Sequence, residues 1–169
     1  MEVSRALALV VFVWICAPVT AVAQGDDKGK GGRPLLVAGA LYDANTRTTG
    51  EVGVLIPLKL VWDEDVVFME CRCLAAIADV GSGGSRFAVG PSGQALWRPI
   101  LRYGVDALLT ILRTSDSPRS VMPHSTYVGG EAGFLFMSAR IGLGAAHRVS
   151  GPEPRDTVFT WNVGFRTGW

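Results

Sequence analysis

The stretch Thr157-Val-Phe-Thr-Trp-Asn-Val-Gly-Phe-Arg-Thr-Gly-Trp169 decides the fold. In an extended chain Phe159, Trp161, Val163, Phe165 and Trp169 fall on one face, broken only by Thr167, and Thr160, Asn162, Gly164, Arg166 and Gly168 fall on the other. A period of two is the mark of a strand with unlike faces. The same pattern recurs upstream. Val52, Val54, Ile56, Leu58, Leu60 and Trp62 alternate with Glu51, Gly53 and Lys59, and Leu101, Tyr103, Val105, Ala107, Leu109 and Ile111 alternate with Arg102, Gly104, Asp106 and Thr110. From Arg33 onward apolar residues do not recur at helical spacing, so the chain reads as all-β.

Turn signals divide it into about eight strands, predicted at 34–42, 51–62, 66–79, 85–90, 97–112, 125–136, 139–148 and 157–169. The fourth is short, and the break at Met137-Ser138 carries no Gly, Pro or Asn, so a merged pair and seven strands remain open. Cys71 and Cys73 fall on one face of the third strand. A bridge between next-but-one residues of a flat strand needs Cα atoms near the roughly 6.8 Å limit, so the two read as small apolar residues. With no histidine nearby they make no metal site.

The start of the chain speaks to compartment. Glu2 and Arg5 precede an apolar run from Ala6 to Ala17, Pro18 breaks it, and Ala21-Val22-Ala23 supplies a small-x-small cleavage site. That is a cleaved export signal over 1–23. The run is too short to span a hydrocarbon core of about 30 Å as a helix, and Val13-Trp14-Ile15 are too bulky for a lipid-modified cysteine at Cys16. Residues 24–33, Q-G-D-D-K-G-K-G-G-R, form a flexible leader with nothing to bury, and 34–169 is one domain. The net charge of +1 survives removal of Glu2 and Arg5 and gives no argument for nucleic acid or for an acidic partner.

Alternation fits either a barrel in lipid, apolar face outward, or a soluble sandwich, apolar face inward. The polar face here is glycine-rich and charged at mid-strand, which suits a narrow lumen better than a solvated sheet. With the first strand running upward from the periplasm, the turns after strands two and four are short and the loop Thr114–His124 is extracellular, as outer-membrane barrels require; the short Gly81–Gly84 connection fits less well. Trp62, Trp97 and Trp169 then mark the periplasmic interface, and Phe87 and Phe159 the other. Closure also removes sheet edges.

The last strand resembles the closing strand of bacterial outer-membrane β-barrel proteins, which end in an aromatic residue preceded by apolar residues at alternate positions. The likeness falls on Trp161, Val163, Phe165 and Trp169, with Thr167 departing from it. In architecture 34–169 resembles the small eight-stranded members, the OmpA membrane domain and its OmpX-like relatives. The resemblance implies a closed antiparallel up-and-down transmembrane barrel in the bacterial outer membrane, with lipid and the barrel-assembly machinery as partners. It implies no cofactor, and it leaves the oligomeric state open.

Lys59, Glu70, Arg72, Arg102, Asp106, Glu131, Arg140 and Arg166 are expected to form a paired network in the lumen. An enzymatic reading rests on His124, Ser125 and Glu131, the parts of an activated nucleophile. Some small outer-membrane barrels are lipid A deacylases with His and Ser one residue apart on a strand face. Here the two are adjacent and face opposite ways; Thr126 has the spacing but is a poor substitute. His147, among apolar outward neighbours, reads as an interface residue. No phosphate loop, C-x-x-C or H-E-x-x-H is present. The expected function is non-enzymatic, in envelope structure or surface contact. The alternatives are a lipocalin-like ligand-binding barrel and a rim lipid hydrolase.

Overall fold

Strands alternating between large apolar and small or charged residues bury only one face each, and a sheet of them is satisfied by closing on itself. A computed structural model of the chain describes residues 33–63, 68–97, 101–151 and 156–168. The export signal expected over 1–23, residues 24–32 of the expected leader and Trp169 lie outside the described residues. Eight antiparallel strands form a closed barrel: β1 (Leu35–Asp43), β2 (Arg47–Asp63), β3 (Phe68–Gly81), β4 (Gly84–Trp97), β5 (Leu101–Thr114), β6 (Thr126–Phe136), β7 (Ala139–Ser150) and β8 (Thr157–Thr167). Each strand pairs with its neighbour in sequence, and β8 returns to β1.

The registers show the tilt that closure demands. Pro57 of β2 pairs with Cys73, and the row continues through Ser92, Asp106, Gly133, Gly142 and Asn162. Asn162 then meets β1 at Asp43, at its top, whereas Leu55, above Pro57 on β2, pairs with Leu35 at the bottom. One circuit therefore climbs the length of β1.

The turns have local causes. Asp43 accepts hydrogen bonds from the amides of Asn45 (2.7 Å) and Thr46 (3.0 Å), the side-chain turn that lets 44–46 reverse the chain between β1 and β2. Between β6 and β7 the reversal falls on Met137-Ser138, with Met137 at φ 54°. A bulky residue in the left-handed region is uncommon, which is why the sequence signals this turn so weakly.

Three expectations need correction. The fourth strand is not short: β4 runs from Gly84 to Trp97, and the Pro91–Gln94 turn does not exist. Pro91 is accommodated because pairing with β5 lapses at Gly90 and Pro91, where a missing N–H costs nothing. Trp97 accordingly closes β4 rather than opening β5, although both positions lie at the same end of the barrel. Cys71 and Cys73 are inward-facing and buried, as small fillers should be, but they are joined by a disulfide. Their Cα atoms stand 5.8 Å apart, closer than in a flat strand, which brings the bridge within reach.

The faces are inverted relative to a soluble protein. Val105, Leu109 and Phe159 are 63%, 70% and 84% exposed, while Glu51, Arg140 and Arg166 are no more than 1% exposed. Leu35, Val37, Leu55, Ala75 and Ile77 pack an apolar layer inside the lower half, at the end where β1 begins. Cysteines introduced at Val105 or Leu109 should react with an apolar maleimide in the folded, detergent-solubilised protein. One at Leu108, 3% exposed, should stay protected until the barrel unfolds. Equal labelling of Leu108 and Leu109 would reverse the facing.

Candidate functional site

Arg140 occupies the centre of the lumen. On β7 it is followed by Gly142, and across the β6 pairing stands Gly133, Cα partner of Gly142. A Cβ at Gly133 would lie 2.6 Å from Arg140 Nη2, and one at Gly142 2.6 Å from Asn162 Oδ1 and 2.9 Å from Arg140 Nη1. The two missing side chains are thus the space the guanidinium fills. Arg140 Nη2 donates to Asp106 Oδ1 (2.9 Å) and to Glu131 Oε1 (2.6 Å), and Nη1 donates to Asn162 Oδ1 (2.5 Å). Asn162 in turn donates Nδ2 to Glu131 Oε2 at 2.8 Å.

The network grows from this centre in both directions. Arg166 clamps Glu51 with two bonds, Nε to Oε1 at 2.5 Å and Nη2 to Oε2 at 2.8 Å, and donates Nη1 to Asp106 Oδ2 at 3.0 Å. Arg86 donates Nε to Asp79 Oδ2 at 2.5 Å and Nη1 to Glu131 Oε2. The chain Asp79, Arg86, Glu131, Arg140, Asp106, Arg166, Glu51 is continuous, and each link comes from a different strand, β2 through β8. β1 contributes Gly39, the Cα partner of both Glu51 and Arg166. A Cβ there would lie 3.2 Å from the Cα of Arg166, so the glycine lets the first and last strands meet.

Arg102 donates to Gln94 Oε1 at 2.7 Å lower in the same lumen. With it, the guanidinium groups of Arg86, Arg102, Arg140 and Arg166 balance the carboxylates of Glu51, Asp79, Asp106 and Glu131. Such balance is what burial of charge requires, because an uncompensated ion in the interior costs several kcal/mol.

Five of the expected lumen charges are here: Arg102, Asp106, Glu131, Arg140 and Arg166. Lys59, Glu70 and Arg72 are not; all three face outward. A bulge at Leu58 shifts the register between Pro57 and Lys59, and turns Lys59 to the outer face opposite Arg72. On β3 the inward positions are Cys71, Cys73, Ala75, Ile77 and Asp79, which leaves Glu70 and Arg72 on the other face, paired with each other at 3.0 Å. Glu51, Asp79, Arg86 and Asn162 complete the network beyond the expected set. Counting the period of two from Cys71 would have reached Asp79, and Arg86 is its Cα partner on β4.

The enzymatic candidates are not assembled. His124 sits at an exposed loop end with Nε2 2.8 Å from Asp116 Oδ1. Ser125 is buried, donates its hydroxyl to Pro123 O at 3.1 Å and donates its amide N–H to Thr114 Oγ1 at 2.8 Å. Glu131 is consumed by Arg86, Arg140 and Asn162. His147 is exposed on the outer face, Nδ1 3.0 Å from Thr157 Oγ1. Trp62 lies next to the end of β2 and Trp97 at the end of β4, both at the lower end; Trp161, Val163 and Phe165 face outward along β8.

The upper mouth is covered. The connection 115–125 leaves β5 and crosses toward β1, which lies on the far side of the barrel. Arg119 N donates to Asn45 O (2.8 Å), Ser120 Oγ to Ala44 O (3.0 Å) and Ser115 Oγ to Ser82 O (2.8 Å). Beneath it Leu112, Tyr127 and Ala146 pack with Val121 and Val158. The charges therefore lie between apolar layers and link seven strands to one another.

Arg140→Met should destabilise the barrel by about 3–5 kcal/mol, because Asp106 and Glu131, though still held by Arg166 and Arg86, then carry one buried negative charge that no cation balances. Adding Asp106→Asn and Glu131→Gln should cost much less than the three single losses together. Urea unfolding of refolded protein measures both; additive losses would show that the groups do not act as a unit.

Comparison with protein-family models, with curated proteins and with solved structures finds no match to this chain.

Proposed function

We propose that this chain is an outer-membrane β-barrel with a filled lumen, working as a structural or surface-contact element of the bacterial envelope and without catalysis. One observation carries the reading. Large apolar side chains cover the outside of a closed barrel whose inside holds an ion-pair network. Leu36, Val52, Val80, Val105, Leu109, Ile141, Leu143 and Phe165 are all exposed, on strands around the whole circumference. In water such a surface is an aggregation hazard; in a bilayer it is the face that lipid solvates.

Further support comes from the ends. Among the described connections, 137–138 at the lower end is short and the longest, 115–125, is at the upper end, as periplasmic turns and extracellular loops have it, although 44–46 and 82–83 at the upper end are short too. With the mouth strapped and the lumen occupied, a surface role fits better than conduction. A lipocalin-like barrel would need an apolar, open interior. The likeness of β8 to closing strands makes the assembly machinery the partner during biogenesis, and the segment 1–23 supplies export.

Cell fractionation combined with gel mobility, with and without boiling, tests the placement: the protein should partition with outer membranes and shift in mobility on heating. Phe165→Asp, on the outer face of β8, should lower the stability of the refolded barrel by up to about 2–4 kcal/mol, less if it lies near a rim. Folded, soluble protein in the absence of detergent would overturn the reading.

A further inference from the structure

Three charges expected in the lumen and found outside it, Lys59, Glu70 and Arg72, gather in one place. Lys59 and Arg72 are Cα partners on β2 and β3, on the outer face near the lower turn, and both are exposed. Like charges directly opposite on an antiparallel pair are destabilising, yet a bulge brings them together: were Leu58 paired regularly with Arg72, Lys59 would oppose Cys71 and point, like Pro57, into the lumen. Bulges re-aim side chains where a sheet needs them re-aimed. Glu70 Oε1 accepts from Arg72 Nε at 3.0 Å, which leaves the Nη edge of that guanidinium turned away from it. Among the described residues no acidic group pairs with Lys59.

The next outward pair up the same two strands is Ile56 and Leu74, also exposed, with Leu58 at the bulge 69% exposed. Two cations thus stand at the foot of an apolar strip. That is the shape of a site for an amphiphile whose anionic group sits below its chains.

We propose that Lys59 and Arg72 bind the phosphate of an anionic phospholipid whose chains lie along Ile56, Leu58 and Leu74. Arg72 offers its free edge as a two-pronged donor and Lys59 a mobile point charge from the neighbouring strand. The site rests on the membrane placement proposed above, and it lies in the leaflet at the end of the barrel where β1 begins.

Native mass spectrometry of the full chain in detergent, titrated with phosphatidylglycerol, measures it. The wild type should retain phosphatidylglycerol in preference to phosphatidylcholine. Lys59→Gln with Arg72→Gln should weaken retention about thirtyfold, the product of two interfacial cations. Glu70→Gln should tighten it by removing the negative charge that offsets Arg72, and Arg113→Gln, an outward cation at the opposite end, should change nothing. Unchanged retention in the double variant, an equal loss in Arg113→Gln, or displacement of the lipid by inorganic phosphate at the same concentration would each overturn the site. If the double variant does not fold, Glu70→Gln decides: tighter retention supports the site, and none overturns it. A wild type found in membranes with unchanged retention in the double variant refutes this site alone, whereas a wild type folded in water without detergent refutes the placement first.

Discussion

A guanidinium with no exposed atom must find all its partners inside the protein, and the structure is arranged around meeting that demand for Arg140. Three oxygen-bearing side chains from three other strands converge on it, and two glycines vacate the volume it needs. Each of those partners is itself held: Asp106 by Arg166, Glu131 by Arg86 and Asn162. Remove the compensation at any link and a charge remains in a medium that solvates it poorly. The network therefore specifies the register as well as the closure, because sliding any strand by one residue would send its charge to the opposite face.

This accounts for the composition of the strands. Large side chains belong outside, where nothing limits their size, and the interior takes glycine, alanine, cysteine and a few long polar groups that reach across. The apolar layers above and below the ions keep water away from them, which strengthens each pair and raises the cost of breaking one. The strap over the mouth completes the upper layer by using backbone carbonyls of the β1–β2 and β3–β4 turns as anchors.

Much of this was readable from the residues alone. The period of two in 51–62, 101–111 and 157–169 placed three strands, with the outward face correct along 101–111, along Phe159 to Phe165 and along β2 as far as the bulge at Leu58, beyond which Leu60 opposes the inward Cys71; the mid-strand arginines Arg102, Arg140 and Arg166 were recognisable as inward. What failed has a physical pattern. Lys59 was misplaced by a bulge, and a one-residue register shift leaves no mark in a run of V-L-I-P-L-K-L-V. Glu70 and Arg72 carry the kind of charge that fills the lumen on other strands, but on β3 the small Cys71 and Cys73 claim the inward positions. Pro91 and Gly93 imitate a turn, and only the gap in pairing beside them shows how a strand passes through. Asp79 and Arg86 stand close to a turn, where a charge by itself signals nothing.

The ion pairs also impose an order of events on the chain. Arg166 joins Glu51 across 115 positions and Asp106 across 60, so neither bond can form until the last strand has arrived. Hairpins between sequence neighbours can form early at small loop-closure cost, and β3–β4 and β6–β7 bring an ion pair of their own (Asp79–Arg86, Glu131–Arg140), but each of these pairs still lacks partners that lie on other strands. A half-built sheet is therefore penalised twice, by open edges and by unneutralised ions, and the final strand relieves both at once. Such a molecule should populate few partly closed states, and its slow step should be the arrival of β8, a kinetic signature written by the distances between paired residues along the chain.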